Sequence, residues 1–193
     1  MTTVILFGAT GKTGLALSKL IIKNDMELFA AARTETDRKY LESLGANTFI
    51  ADALHPNQIL ESMRNVNGRS IVISLVGGSS KGTGVRADYL GNKNIIEAAV
   101  TSGLKRFIFV TSIGSGESRH ELPDVVKPFL GPIAAEKTKA ENVLRETDLD
   151  FTIIRPGQLT NDRATGNGAL TEECILGIMT REDLALMIMS CIK

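Results

Sequence analysis

Tryptophan is absent from the 193 residues, cysteine, histidine and tyrosine occur twice each, and neither sign of charge is in excess: 22 Lys plus Arg stand against 22 Asp plus Glu. Each shortage excludes something. Two cysteines, Cys174 and Cys191, cannot build a disulfide framework, and they fall at no zinc-ligand spacing with His55 or His120. A formal net charge of zero argues against a chain that neutralises many nucleic-acid phosphates. No apolar run is long enough to span a bilayer. The opening Met1-Thr2-Thr3-Val4 lacks the basic stretch and cleavage site of a signal peptide. The expectation is a soluble, cytoplasmic protein with neither nucleic acid nor membrane as partner.

What is present is an ordinary globular composition, 43% hydrophobic and 23% charged, which suits one domain over 1–193. Short apolar runs recur: Val4–Phe7, Glu27–Ala32, Asn47–Ile50, Ile71–Leu75, Phe107–Val110 and Phe151–Ile154. Runs of this length suit parallel strands buried on both faces. Segments of helical periodicity lie between them, among them Glu136–Thr147 and Arg181–Ile192. The alternation predicts an α/β fold, a doubly wound parallel sheet in three α/β/α layers. Two stretches rich in Gly, Ser, Asn, Asp or Pro, 112–132 and 158–174, read as long loops, with Gly166-Asn167-Gly168 as a hairpin turn. Thr180 and Asp183 stand at capping positions for the last helix. Cys174 and Cys191 are expected to be buried hydrophobes.

Gly8-Ala9-Thr10-Gly11-Lys12-Thr13-Gly14 follows the first strand and opens the first helix. In that setting the first glycine permits the turn, the second lets backbone approach a pyrophosphate, and the third lets helix pack on strand. The phosphates then meet free N–H groups at the helix start. A nucleotide-triphosphate loop ending in Gly11-Lys12-Thr13 would need glycine at position 6, which is Leu6. The residue closing the second strand, Arg33, sits close to the expected interval of about 20 residues further on. An arginine there accommodates the 2′-phosphate of NADP, whereas a carboxylate would prefer NAD. The cofactor reading is therefore NADPH/NADP+. Arg38 and Lys39 either extend this basic patch or form a solvated helix face, and Glu35 weakens the reading only if it points at the ribose.

With the glycine turn, Ala51-Asp52-Ala53, Val110-Thr111-Ser112, Ala135–Glu141 and Ile154-Arg155-Pro156-Gly157 in this order, the chain resembles the atypical short-chain dehydrogenase/reductase superfamily. Its look is that of the NAD(P)H-binding, NmrA-like group that includes biliverdin-IXβ/flavin reductases. The resemblance implies cofactor contacts from Gly8, Thr10, Gly11, Lys12, Thr13, Gly14 and Arg33. It places Asp52 and Ala53 at the adenine, and Leu75, Val76, Gly77 and Gly78 beside the riboses. Leu75 and Val76 read equally well as plain core. It puts Thr111 and Ser112 near the nicotinamide, with Pro156, Gly157, Gln158 and Leu159 as its wall.

One departure stands out. Superfamily reductases carry Tyr-x-x-x-Lys; Lys137, Glu141 and Leu144 fit that frame, but the tyrosine position is Ile133. Neither Tyr40 nor Tyr89 falls in the frame, and Asp88 stands where extended members carry a helix asparagine. Lys137 either bonds ribose hydroxyls or is a solvated lysine beside Glu136, Lys139 and Glu141. Biliverdin-IXβ/flavin reductases also lack the tyrosine. The resemblance thus implies an NADPH-dependent oxidoreductase that reduces a flat small-molecule acceptor (a flavin, a biliverdin-like tetrapyrrole or a quinone), with Ser112 and Lys137 as catalytic residues. The alternative is a non-catalytic NADP(H)-binding sensor or regulatory protein. The 112–132 stretch is either a lid presenting Leu122, Phe129 and Leu130 to the acceptor or a loop pinned by them. Arg119 is a candidate for an acidic group of the acceptor; His120 reads as a surface residue. Related reductases continue past position 193 with another short strand.

Overall fold

The computed structural model of the protein describes residues 2–64, 66, 69–78, 84–174 and 176–192. The apolar runs form its main sheet. Strands β1 (Thr3–Phe7), β2 (Glu27–Ala32), β3 (Asn47–Ile50), β4 (Ile71–Ser74), β5 (Arg106–Val110) and β6 (Asp150–Ile154) pair in parallel. Their order is β3-β2-β1-β4-β5-β6. Side chains alternate between two cores. Val4 and Leu6 of β1 join Ile108 and Val110 of β5 on one face. Ile5 and Phe7 join Phe107 and Phe109 on the other.

The helices are α1 (Lys12–Lys23), α2 (Glu35–Ser43), α3 (Pro56–Met63), α4 (Leu90–Thr101), α5 (Lys127–Arg145) and α6 (Arg181–Ser190). Leu17 and Ile21 of α1, Leu41 of α2, and Leu184 and Ile188 of α6 close the first core. Ile59 and Met63 of α3, Ile95 and Ile96 of α4, and Ala140 and Leu144 of α5 close the second. This is the expected doubly wound, three-layer arrangement. From β1 the chain steps outward to β2 and β3, then returns to β4 on the other side of β1. That reversal opens a crevice above the carboxyl ends of β1 and β4, the place where open α/β sheets bind ligands.

Several expected boundaries move. The charged helix begins at Lys127, not Glu136, and a 3₁₀ helix, Gly116–Glu121, occupies part of the stretch expected to be irregular. Two prolines hid the start of α5: Pro128 sits in its first turn, where no N–H is needed, and Pro132 lies inside it. Gly166-Asn167-Gly168 turns no hairpin. Short strands β7 (Gln158–Thr160) and β8 (Ile178–Thr180) pair in parallel. The Thr165 and Gly166 N–H groups instead donate to the Asp183 carboxylate at 3.0 and 2.9 Å. Asp183 belongs to the expected α6 cap, its own N–H donating to Thr180 Oγ1 at 2.9 Å. Cys174 and Cys191 are half-buried rather than buried.

Candidate functional site

The crevice begins at the glycine turn. Gly8 has φ +83°, and a Cβ there would stand 3.0 Å from the backbone of Leu75. A Cβ on Gly14 would stand 2.1 Å from the Gly8 carbonyl oxygen, so helix and turn meet with no room for a side chain. The Gly11 N–H donates to that same carbonyl at 3.1 Å and closes the turn. Gly11 caps α1 without a side-chain hydrogen bond, and the first turn of α1 carries no acidic residue. The N–H groups there keep their partial positive charge for an anion. Thr10 and Thr13 are half-buried beside them, and Lys12 is exposed.

The neighbouring strand ends supply further groups. Arg33, exposed after β2, makes no hydrogen bond or ion pair among the described residues. Arg38 is otherwise committed: it donates to Glu35 at 2.6 Å and to Glu42 at 2.8 Å. That pairing makes Arg38 part of a helix face and draws Glu35 toward α2's own cation. After β3, Asp52 Oδ1 accepts from Leu54 N, and the Ala53 carbonyl accepts from Asn94 Nδ2. After β4, Leu75 and Val76 are half-buried, one packed against each core, and Gly77 is exposed. Buried Asn92 donates to the Val76 carbonyl at 3.1 Å and accepts from Ser74 Oγ at 2.6 Å, tying this turn to α4.

On the far side, β5 and β6 remain paired past their ends, through Thr111 N to Ile154 O and Ile113 N to Pro156 O. Ser112 is thereby held half-buried between them. Thr111 Oγ1 donates to Glu141 at 2.7 Å. Glu141 is fully buried and accepts two bonds from Arg155, which also binds Glu117 of the 3₁₀ helix. The Glu141 carboxylate raises the Arg155 pKa first, against desolvation, with Glu117 adding to it. Pro156 is buried, Gly157 and Leu159 half-buried, and Gln158 exposed. A cleft of about 1190 Å³ runs beyond Pro156 and Gly157 along β6 and residues 160–174, apart from the glycine turn.

The lysine of α5 is not solvated. Its side chain is 13% exposed and its Nζ lies 3.9 Å from Asp88 Oδ1, beside Gly77. Burial lowers the Lys137 pKa, opposed by Asp88 and then Glu141, while Arg86 adds to the lowering. Its neighbour Lys139, exposed and paired with Glu136, is solvated instead. Ile133 is half-buried one turn before Lys137. Of the expected lid, Leu122 is a pin, buried beneath Gly114, while Phe129 and Leu130 point outward, 74% and 45% exposed.

A family model described as NAD(P)H-binding matches residues 8–193, the crevice included. The chain belongs to this NAD(P)H-binding family. Its structure superposes on ChuY, an anaerobillin reductase from Escherichia coli, with a TM-score of 0.89 at 31% identity, over 98% of this chain and 89% of that one. The uncharacterized sugar epimerase YhfK of Bacillus subtilis is 31% identical over 186 residues, 94% of this chain and 84% of its own length. Sanguinarine reductase of Eschscholzia californica is 28% identical over 195 residues, 82% of this chain and 70% of its own. The resemblance to atypical short-chain reductases is borne out, and the cofactor class is NAD(P)H. No helix among the described residues is long and apolar enough to cross a membrane.

Within this NAD(P)H-binding fold, the expected positions follow the carboxyl ends of the parallel strands or open α1, except Lys137, which lies within α5. Sequence reasoning missed what holds them. Arg86, Asn92, Asn94 and Arg155 had no assigned role, and Asp88 was known only as a departure. Most of their partners are far away in the chain, and only the two asparagines in the first half of α4, Asn92 buried and Asn94 half-buried, were a local signal.

Proposed function

We propose that the protein is an NADPH-dependent reductase acting on a flat, conjugated acceptor: a flavin, a linear tetrapyrrole or a quinone. The observation that carries this reading is α5, which brings Lys137 to the crevice but has Ile133 where a reductase of alcohol type has its tyrosine acid. Reduction to an alcohol needs a proton donor at the forming alkoxide. A conjugated acceptor can take its proton from water, so position and a sheltered pocket suffice.

When bound, the nicotinamide supplies the hydride; the chain's part is to hold and orient. The N–H groups of the glycine turn, with Thr10, Lys12 and Thr13, take the pyrophosphate. Arg33 takes the 2′-phosphate through its planar fork. Asp52 and Ala53 border the adenine, while Leu75, Val76 and Gly77 pass beside the riboses, where Lys137 donates to the hydroxyls. Pro156, Gly157, Gln158 and Leu159 wall the nicotinamide. Thr111, anchored on Glu141, fixes Ser112 to orient the acceptor.

That ChuY and sanguinarine reductase are reductases by name supports the reading. The epimerase name of YhfK carries over less well, because withdrawing a hydride from a sugar carbinol needs a base at its hydroxyl, and Ile133 offers none. The same missing acid also suits a sensor that binds NADP(H) without turnover. NADPH consumption by the purified protein, with FMN, biliverdin and menadione in turn, separates the two. Repeated turnovers with one acceptor support the reductase. NADPH binding with no turnover on any of them overturns it in favour of the sensor.

A further inference from the structure

Lys137 lies largely out of solvent without being consumed by a described partner. Its Nζ makes no hydrogen bond among the described residues, and the nearest carboxylate oxygen among them, Asp88 Oδ1, is 3.9 Å away, beyond hydrogen-bond reach. The reason lies in Asp88. That residue is 1% exposed, and its other oxygen, Oδ2, accepts from Gly78 N and from Arg86 Nε, both at 2.9 Å. These bonds fix the carboxylate beneath the turn after β4. A Cβ on Gly77 would stand 3.2 Å from Asp88 Oδ1 and 3.9 Å from Lys137 Nζ, so the bare Gly77 backbone lies directly over the pair. The ammonium thus sits at the crevice wall with its donors unengaged by any described residue.

We propose that Asp88 is a positioning residue: anchored by Gly78 and Arg86, it keeps the Lys137 ammonium charged at the crevice while leaving its hydrogen-bond donors to a bound ligand. A closed salt bridge would engage those donors, and an isolated buried lysine would lose its proton. The arrangement avoids both. Among the described residues, the charged groups facing Lys137 are Asp88 and Arg86 from the segment before α4 and Glu141 from its own helix. Burial and Arg86 favour the neutral amine; Asp88 and Glu141 favour the ammonium. Removing the Asp88 charge therefore lowers the Lys137 pKa, and removing Arg86 raises it.

The inference rests on Lys137 facing the bound cofactor, as under the proposed function, but its test does not need turnover. NADPH affinity is measured by the fluorescence of the reduced nicotinamide from neutral to strongly alkaline pH. Wild-type affinity is expected to fall along an alkaline limb as Lys137 deprotonates. Asp88→Asn moves that limb down by about 1–3 pH units, the range for losing an opposite charge at this distance. Arg86→Gln moves it up. Lys137→Arg, charged throughout, removes it. If Asp88→Asn does not fold, the upward shift in Arg86→Gln still tests the cluster. No limb in the wild type, a limb that survives Lys137→Arg, or a limb unmoved in the folded Asp88 and Arg86 variants overturns the proposal. An acceptor screen on the same proteins keeps the two readings apart: shifts in binding without any turnover support Asp88's role and overturn the reductase, whereas turnover with an immobile limb does the reverse.

Discussion

Gly14 is where one added methyl group does most harm. Its Cβ would enter the space of the Gly8 carbonyl oxygen, a backbone atom with nowhere to go. Gly14→Ala is expected to push α1 off β1 and to abolish NADPH binding, read by cofactor fluorescence, together with a fall in thermal midpoint. Arg33 is the opposite kind of residue, exposed and structurally idle. Arg33→Ala is expected to leave stability unchanged and to weaken NADPH by about tenfold, the worth of one charge-assisted bond, with NADH untouched. Equal losses for both cofactors would show that Arg33 does not read the phosphate. Both residues were legible in the sequence, because a glycine spacing and a strand-terminal arginine are local patterns. Lys137 was only half legible. Its frame was visible, but a lysine flanked by Glu136 and Lys139 looks solvated until α5 is seen against the segment before α4.

At the scale of elements, polar contacts across the chain fix what the hydrophobic cores leave loose. Glu141 of α5 reaches Thr111 after β5 and Arg155 after β6, and Arg155 extends the tie to the 3₁₀ helix through Glu117. Glu141→Gln leaves the half-buried Arg155 guanidinium facing a neutral amide. It is expected to cost about 3–5 kcal/mol in denaturant unfolding, the range for breaking a buried pair. A loss near zero would mean that Glu117 alone satisfies Arg155. A second tie joins the 164–166 segment to the start of α6. Backbone donation from Thr165, and then from Gly166, holds the Asp183 carboxyl below the usual aspartate range. A group depressed in the folded state stabilises above its unfolded pKa, and that contribution disappears as pH falls through the folded one. Limited acid-protease digestion should therefore open this segment as pH drops below the ordinary aspartate range, while Asp183→Asn should expose it already at neutral pH. Neither tie was readable beforehand. Thr180 and Asp183 announced a cap, but nothing local indicates that the same carboxylate also receives a distant loop.

For the whole molecule, the sheet was the most legible feature, because parallel strands covered on both faces must be apolar along their length. Phe107 and Ile108 belong to different cores yet look alike in sequence. The start of α5 was the least legible, since its prolines read as loop. Cofactor binding should stabilise the entire fold by mass action. NADPH at a hundredfold over its Kd is worth ~2.7 kcal/mol, or roughly 5–10 °C in thermal midpoint for a domain of this size. NADH at equal concentration should give a smaller shift. Pro132 carries a different consequence. It brings no amide proton to α5, so the turn holding Phe129 and Leu130 lacks a rung connecting it to the part holding Lys137 and Glu141. In deuterated water the helix should label as two segments, 129–131 quickly and 136–145 slowly. Its outer end is then expected to open independently of the charged inner end.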